Sequence, residues 1–313
     1  MKIYRDINFF EKNKLSVVTI GTFDGIHLGH QKIINRLIEI TKAGNFESVV
    51  ITFEPHPRIV LGHDVEQFKF INIQNEKIEH FRKLGIDNLI IIQFTKEFSQ
   101  LSSKDFIKNY LIDKIGLHKL IVGYDHQFGK KREGDYENLK LLMNQYKFDV
   151  EKIPAKEINN IAVSSTKIRK ALEAGNIALA NSFLGYEYSI TGKVESGNKI
   201  GSKIGFPTAN IKVEDKYKLI PQNGVYAVKA LFEGKIYKGM LNIGKRPTLN
   251  LNKVLIEINI FNFDENIYDK TLTIFFVERI RDEIKFQNIE NLKNRLIVDE
   301  KDAKKILKTD KLK

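Results

Sequence analysis

Two styles of hydrophobic patterning divide the chain. Over roughly the first 155 residues, short apolar runs rich in β-branched side chains alternate with segments whose apolar positions recur at helical spacing. "SVVTIGTF" (16–23) predicts a strand. In the following "HQKIINRLIEITKAGN", Ile33, Ile34, Leu37, Ile38 and Thr41 mark one helical face, and Gly44 supplies a stop. "SVVITFEP" (48–55) is the next strand, ended by Pro55, then "NEKIEHFRKLG" reads as a helix and "NLIIIQF" as a buried strand. "SSKDFIKNYLIDKIG" opens on a Ser102-x-x-Asp105 capping box. "KLIVGYD" (119–125), "YENLKLLMNQYK" and "FDVEKI" continue the alternation as strand, helix and strand. Nearly all-apolar strands between helices predict an α/β unit with a parallel sheet covered on both faces. Ligands of such sheets sit beyond the carboxyl ends of the strands.

From about residue 177 the style changes. "IALANSFLGYEYSITGKVESG" leaves a helix and enters a strand, and the chain is strand-rich to about 277. "GVYAVKALFEGKIYKGMLNIG" predicts a hairpin turning at Glu233-Gly234. "VLIEINIF" and "TLTIFFVE" alternate like half-buried strands, and "NIENLKNRLIVDEKDAKKILK" closes the chain as a helix. Closely spaced strands without intervening helices predict a small antiparallel barrel or sandwich. The expected boundary is near residue 185, giving domains 1–185 and 186–313, and no internal repeat links them.

Composition is that of an ordinary globular protein, 42% hydrophobic and 29% charged. No apolar stretch approaches the roughly 18 residues of a membrane span. The charged "MKIYRDINFFEKNK" lacks the apolar centre of a signal peptide. Cysteine is absent, which removes disulfides, thiolate zinc sites and cysteine nucleophiles. A cytoplasmic protein with no membrane partner is expected. The net charge of +12 raises the question of nucleic acid, but residues 301–313 alone hold six Lys against two Asp. Elsewhere the signs are interspersed, with no basic run interleaved with aromatics. A solvated surface attractive to anions such as nucleotides is favoured, and no nucleic-acid partner is expected.

"GTFDGIHLGHQ" (21–31) places His27 and His30 three residues apart, where a strand gives way to a helix. Zinc would need further ligands that the neighbourhood lacks. Two surface histidines at this spacing are a second reading. The third is a phosphate-handling loop: Gly21, Gly25 and Gly29 permit close backbone approach, and the helix offers free N–H groups to an anion. Imidazoles there can donate hydrogen bonds to charge that builds up when one phosphate attacks another. The stretch resembles the H-x-G-H nucleotidyltransferases.

A second cluster, "VSSTKIRKALEAGN" (163–176), starts a helix with Ser164, Ser165 and Thr166 and places Arg169 one turn in. It reads either as an N-cap with a surface arginine or as a pyrophosphate cradle. "TFEPHP" (52–57) holds His56 in an extended loop between prolines. In "VGYDHQFGKKREG" (122–134), Asp125 is a candidate for a ribose hydroxyl or for orienting a ring.

In the second half, "GNKIGSKIGFPTANI" (197–211) packs Gly201, Gly205, Thr208 and Asn210 together, a compact set for backbone phosphate contacts with one hydroxyl and one amide for Mg²⁺. All seven histidines lie at or before position 126, so a proton acceptor here must be a carboxylate. In "LIEINIF", Ile256, Ile258 and Ile260 share one face and Glu257, Asn259 and Phe261 the other. Glu257 is either that acceptor or an edge-strand glutamate. Glu278 and Glu283, beside Arg279 and Arg281, read as ion-pair partners.

Together, "GTFDGIHLGHQ", "TFEPHP", "VGYDHQFG", "VSSTKIR", "GFPTANI", "LNIGKRPT" and "LIEINIFNF…IYDK…ERIRDEIKF" resemble the bacterial bifunctional riboflavin kinase/FAD synthetase family, in order and over nearly the whole chain. The resemblance implies a Rossmann-like FMN adenylyltransferase domain followed by a Greek-key β-barrel flavokinase domain. It implies riboflavin, FMN, FAD and ATP as ligands, with ATP as co-substrate and Mg²⁺ as cofactor. Carried over, His27, His30 and Gly29, with Gly21 and Phe23, serve ATP and its phosphates. Ser164, Ser165, Thr166 and Arg169 bind the pyrophosphate portion. Gly201, Gly205, Thr208 and Asn210 serve phosphate, the last two also Mg²⁺, and Glu257 is base for the riboflavin 5′-hydroxyl. His56, Asp125 and Arg281 fall to the flavin. Departures are Ser202 at an arginine position, His126 for a phenylalanine, and Asn259 and Asn262 after Glu257. Two rival readings remain: an H-x-G-H adenylyltransferase for pantetheine phosphate or nicotinamide mononucleotide, and a flavin- or nucleic-acid-binding protein without turnover.

Overall fold

The computed structural model describes residues 1–62, 68–124, 129–130, 136–158, 161–196, 201, 204–245 and 254–309. Asp125, His126 and Ser202 lie outside them. The chain forms two compact units, Met1–Ser165 and Thr166–Lys313.

The first unit runs β1 (Lys2–Tyr4), β2 (Ser16–Ile20), α1 (Leu28–Ala43), β3 (Glu47–Glu54), α2 (Pro57–Leu61), α3 (Gln74–Leu84), β4 (Asn88–Gln93), α4 (Ser103–Phe106), β5 (Leu117–Gly123), α5 (Tyr136–Tyr146) and β6 (Asp149–Ile153). Its sheet has the order β1-β4-β3-β2-β5-β6, and every pairing is parallel. Alternate residues of one strand feed opposite layers, which is why the strands are apolar throughout. Val18 and Ile20 pack with Phe106, Ile107 and Leu111 on one side, and Val17 packs with Leu37 on the other. Each fully buried aliphatic side chain contributes roughly 1.5–3 kcal/mol.

Ser102 caps the helix as expected: the Asp105 amide donates to Ser102 Oγ at 3.0 Å, and that hydroxyl donates to the Asp105 carboxylate at 2.7 Å. The expected single helix behind it nevertheless changes pitch, continuing as a π-helical stretch, Ile107–Ile115. Ile107, Leu111 and Ile115, four residues apart, are all fully buried, and the wider turn keeps that spacing on one line. The edge strand β1 was not expected, because three residues of a charged N-terminus carry no readable period. A two-stranded ribbon, β7 (Glu157–Ile158) and β8 (Ile161–Ala162), leads to α6 (Ser165–Glu173).

The second unit contains the rest of α6, α7 (Ile177–Leu184), β9 (Ser189–Glu195), β10 (Ala209–Lys212), β11 (Gly224–Phe232), β12 (Lys235–Lys245), β13 (Val254–Ile260), β14 (Thr271–Arg281) and α8 (Ile289–Thr309). Its six strands close into a barrel, β10-β13-β12-β11-β14-β9, which decides between barrel and sandwich. The β11–β12 hairpin turns at Glu233-Gly234, both at positive φ (46° and 80°), as a tight two-residue turn requires. Tyr188, Tyr226 and Phe276 are fully buried. The tyrosine hydroxyls donate to the Leu219 and Gln222 carbonyls, so neither is left unpaired. Ala303 and Leu307 of α8 cover Ala227 and Met240 on the outside of the barrel. Asp299 of α8, with no exposed surface, receives Nε and Nη2 of Arg281 (2.9 and 2.6 Å) and Nε of Arg295 (2.9 Å).

Helices α6 and α7 join the barrel's unit, ahead of the boundary expected at 185. Asn181 of α7 explains much of this. Its Nδ2 donates to the Phe276 carbonyl at 2.9 Å, and its Oδ1 accepts from the Tyr188 amide at 2.8 Å. A fragment 186–313 should therefore melt below a fragment 166–313, the two lost bonds together contributing about 1–3 kcal/mol. Thermal unfolding followed by circular dichroism checks this, and equal melting would make α7 dispensable to the barrel.

Candidate active sites

At the carboxyl end of β2 the chain enters the loop 21–27. Phe23 and Ile26 adopt positive φ there (48° and 30°), an uncommon backbone for bulky residues. Tertiary bonds hold it. Asp24, 3% exposed, accepts at Oδ1 from the amides of Ile71 (3.0 Å) and Asn72 (3.1 Å). The Asp24 carbonyl accepts from Ser165 Oγ at 2.8 Å, the Ile26 carbonyl from Gln31 Nε2 at 2.8 Å, and the Gly21 amide donates to the Ile51 carbonyl. Gly25, at φ +87°, has Ile71 where a β-carbon would stand, so no other residue fits easily.

This loop delivers His27 as the N-cap of α1. His27 Nδ1 accepts from the His30 amide at 3.4 Å. Spacing of three residues brings the two rings together, stacked with centroids 3.7 Å apart and planes 16° from parallel. Phe23 meets His30 edge-on. Gly29 allows the stack, since a β-carbon there would crowd the His27 ring at 3.1 Å. His30 Nδ1 is shut off from solvent and has no hydrogen-bond partner among the described residues. Burial, then the positive charges of His27 and Lys77, hold His30 well below the usual histidine range, so it is neutral near pH 7. With Nδ1 of His27 accepting, its proton in the neutral form sits on Nε2. The His27 N–H and the free amides of the helix start are thus gathered at one helix N-terminus, an anion-binding arrangement.

Ser164 is half-buried, and Ser165 is bonded to the histidine loop as above. Thr166, exposed, and Arg169, half-buried, belong to the second unit. His56 does more than sit in an extended loop: it caps α2, accepting at Nδ1 from the Arg58 amide at 3.1 Å, beside the rings of Phe68 and Phe70.

In the barrel, strand register gathers residues far apart in sequence. Asn210 stands opposite Glu195 on one side and Glu257 on the other, and Glu257 opposite Asn242. Directly opposite residues of antiparallel strands point to the same face, with β-carbons roughly 5 Å apart. Asn210, Glu257 and Asn242 are all half-buried in this row. Glu257 lies on a strand flanked on both sides, so it is not an edge residue. Ile256, Ile258 and Ile260 are buried on the other face, as the alternation predicts.

Two N–H groups, of Ile204 and Phe206, converge on the Gly201 carbonyl (3.1 and 2.9 Å) and shape the loop before Thr208. A β-carbon on Gly201 would clash with the Phe206 carbonyl, and Gly205 has φ +87°. Thr208 is exposed. Asn259, a departure in sequence, is buried and donates to the Pro207 carbonyl at 2.7 Å, steadying the residue before Thr208. Asn262 has φ +52°, a backbone that asparagine tolerates.

The expected pairing of Glu278 and Glu283 with the arginines does not form. Arg279 instead bonds Asp282, and Arg281 is turned onto Asp299, its Nη1 donating to the Asp282 carbonyl. Glu283 accepts from Asn223 at 3.4 Å and Glu278 is exposed. Most of Arg281's donors are therefore engaged within the protein.

Sequence reasoning missed Asp24 and Lys77. Lys77 is 6% exposed on α3 and donates to the Thr22 carbonyl at 3.4 Å. Its signal was available: four residues before Phe81, it falls on the buried face of its helix.

Comparison with known proteins agrees with this layout. A family model described as FAD synthetase matches residues 10–167, and one described as riboflavin kinase matches residues 184–307. A Bifunctional riboflavin kinase/FMN adenylyltransferase of Buchnera aphidicola subsp. Schizaphis graminum is 41% identical, over 97% of this chain and 98% of that protein. Proteins of the same name from Listeria monocytogenes and Escherichia coli K12 are 38% and 32% identical, covering 92% and 97% of this chain and 91% and 97% of theirs. A crystal structure titled Macrolide-efflux Protein from Streptococcus pneumoniae superposes with a TM-score of 0.89 at 30% identity, over 97% of this chain and 98% of that one. Among the described residues no helix is long and apolar enough to cross a membrane. With both family models matched in order and relatives aligned nearly end to end, the chain belongs to the bifunctional riboflavin kinase/FMN adenylyltransferase family, whose enzymes synthesise flavin cofactors.

Proposed function

We propose that the two activities occupy separate sites, adenylylation of FMN within residues 1–185 and phosphorylation of riboflavin within 186–313. The stacked His27–His30 pair carries the first assignment. In adenylyl transfer an FMN phosphate oxygen attacks the α-phosphorus of ATP, the new O–P bond forms and pyrophosphate leaves. Negative charge grows on the phosphoryl oxygens in that step. N–H groups already aimed from a helix N-terminus stabilise it without reorganising. Gly21, Phe23 and Gly29 shape the nucleotide end, and Ser164, Ser165, Thr166 and Arg169 take the pyrophosphate. His56, beside Phe68 and Phe70, offers an aromatic surface for the flavin ring.

For the kinase, the register pair Asn210–Glu257 carries the assignment. Glu257 accepts the proton of the riboflavin 5′-hydroxyl as the hydroxyl oxygen bonds to the γ-phosphorus of ATP, the bond to the bridging oxygen breaks and ADP leaves. The loop at Gly201 and Gly205 lets backbone approach the phosphates. Thr208 and Asn210 supply hard oxygen donors suited to Mg²⁺. Among the described residues no group of three or more His, Asp and Glu converges for a metal. Phosphate oxygens and water would therefore complete the coordination, as is usual for this ion. Mg²⁺, when bound, neutralises phosphate charge. The family's flavin chemistry and the barrel unit leave the pantetheine phosphate, nicotinamide mononucleotide and non-catalytic readings without support.

His30→Ala should lower FAD formation by about 10²–10³-fold, the usual loss for one oxyanion-type donor, while FMN formation from riboflavin is unchanged. Chromatography of the flavins formed with ATP and Mg²⁺ measures both. Equal loss of both activities in a folded variant would point to one shared site.

Glu257→Gln keeps shape and hydrogen-bonding reach but cannot take a proton. It should slow riboflavin phosphorylation by about 10²–10⁴-fold, the range of general-base catalysis, with riboflavin affinity little changed and FMN still converted to FAD. Phosphorylation at wild-type speed would reduce Glu257 to a strand residue.

A further inference from the structure

Lys77 is buried and unused by the reactions above, and burial pushes its ammonium below the usual lysine range. It sits near the N-terminus of α3, an end where the helix dipole disfavours positive charge. A lysine this deep is normally paired. Among the described residues its ammonium makes one hydrogen bond, to the Thr22 carbonyl. That carbonyl also accepts from Thr52 Oγ1 at 3.4 Å, so it would stay bonded without the lysine. Against that burial, the carboxylates of Asp24 and Glu54 favour the charged form, and Asp24 Oδ1 also accepts from two backbone amides. Thr22 directly precedes Phe23, which meets His30 edge-on, and the charges that disfavour protonation of that ring are those of His27 and Lys77. The lysine therefore reaches the histidine loop with donor capacity that its hydrogen bond to Thr22 does not consume.

We propose that Lys77 is a positioning residue for adenylyl transfer, its ammonium anchored on Thr22 so that a fixed positive charge backs the His27–His30 pair where phosphate charge collects. The inference rests on the assignment of adenylylation to that pair. A fixed cation behind His30 opposes protonation of the ring, keeping it a neutral hydrogen-bonding group. It also adds attraction for negative charge formed in front, which grows in the transition state and so acts on kcat more than on KM.

Lys77→Gln separates charge from tethering, because the amide can still donate to the Thr22 carbonyl. In the full chain this variant should lower kcat for FAD formation about tenfold or more, equivalent to at least 1.36 kcal/mol of barrier, with KM for ATP little changed. The acid limb of its pH–rate profile should move to higher pH, since His30 without the neighbouring cation is easier to protonate. Lys77→Arg should keep the acid limb in place, and riboflavin phosphorylation should be unaffected in both variants. Wild-type kcat and an unmoved acid limb in Lys77→Gln overturn the proposal. Equal losses in Gln and Arg variants with an unmoved limb also overturn it, leaving Lys77 a packing residue. His30→Ala assayed alongside separates the two ideas. If that variant makes FAD at the normal rate, the histidine assignment fails, whereas if it is impaired and Lys77→Gln is not, only the lysine inference fails.

Discussion

The carboxylate of Asp24, buried between the amides of Ile71 and Asn72, is the constraint on which the first site depends. Charge-assisted bonds of this kind contribute roughly 1.5–3 kcal/mol each, enough to hold a loop whose Phe23 and Ile26 carry positive φ. The same residue's carbonyl receives Ser165, so one position ties the end of β2 to the segment before α3 and to the start of α6. From there the geometry is nearly forced. Gly25 turns, His27 caps α1, and the helical repeat stacks His30 on it over Gly29. A half-buried His30, its Nδ1 shut off from solvent and its ring held neutral, is the outcome.

The second site depends on a different constraint, the register of a closed barrel. No local motif brings Asn210 beside Glu257, separated by nearly fifty positions in the sequence; the antiparallel pairing of β10 with β13 does so. Closure also removes sheet edges, so the half-buried row of polar residues is set among flanking strands rather than left on a rim. Asn259 extends the same logic, its amide fixing the chain just before Thr208.

Much of this was legible in the sequence, for physical reasons. Strands buried on both faces, such as "SVVTI" and "NLIII", have a composition that little else shares. The helix start at Ser102 depends on a side chain within one turn and is readable locally. The alternation in "LIEINIF" correctly separated the isoleucines from Glu257. What was hidden is what tertiary contact decides. Asp24 reads as a turn residue until Ile71 and Asn72 come to it, and the partner of Lys77, the Thr22 carbonyl, is set only when α3 docks. Arg281 looked available until Asp299 of α8 took its guanidinium. His56 gained a capping role from a short helix that the paired prolines concealed.

A neutral His30, its Nδ1 shut off from solvent and its ring stacked on a helix-capping His27, is the centre of the account, and its protonation can be read directly. Titration of the imidazole nitrogens by NMR in the full-length chain, with His30→Ala to assign the signals, gives the midpoint. The account predicts that His30 remains neutral well below its ordinary value near 6.5. A midpoint at or above that value would show a solvated ring, and the anchored loop would then not be what sets the chemistry of this site.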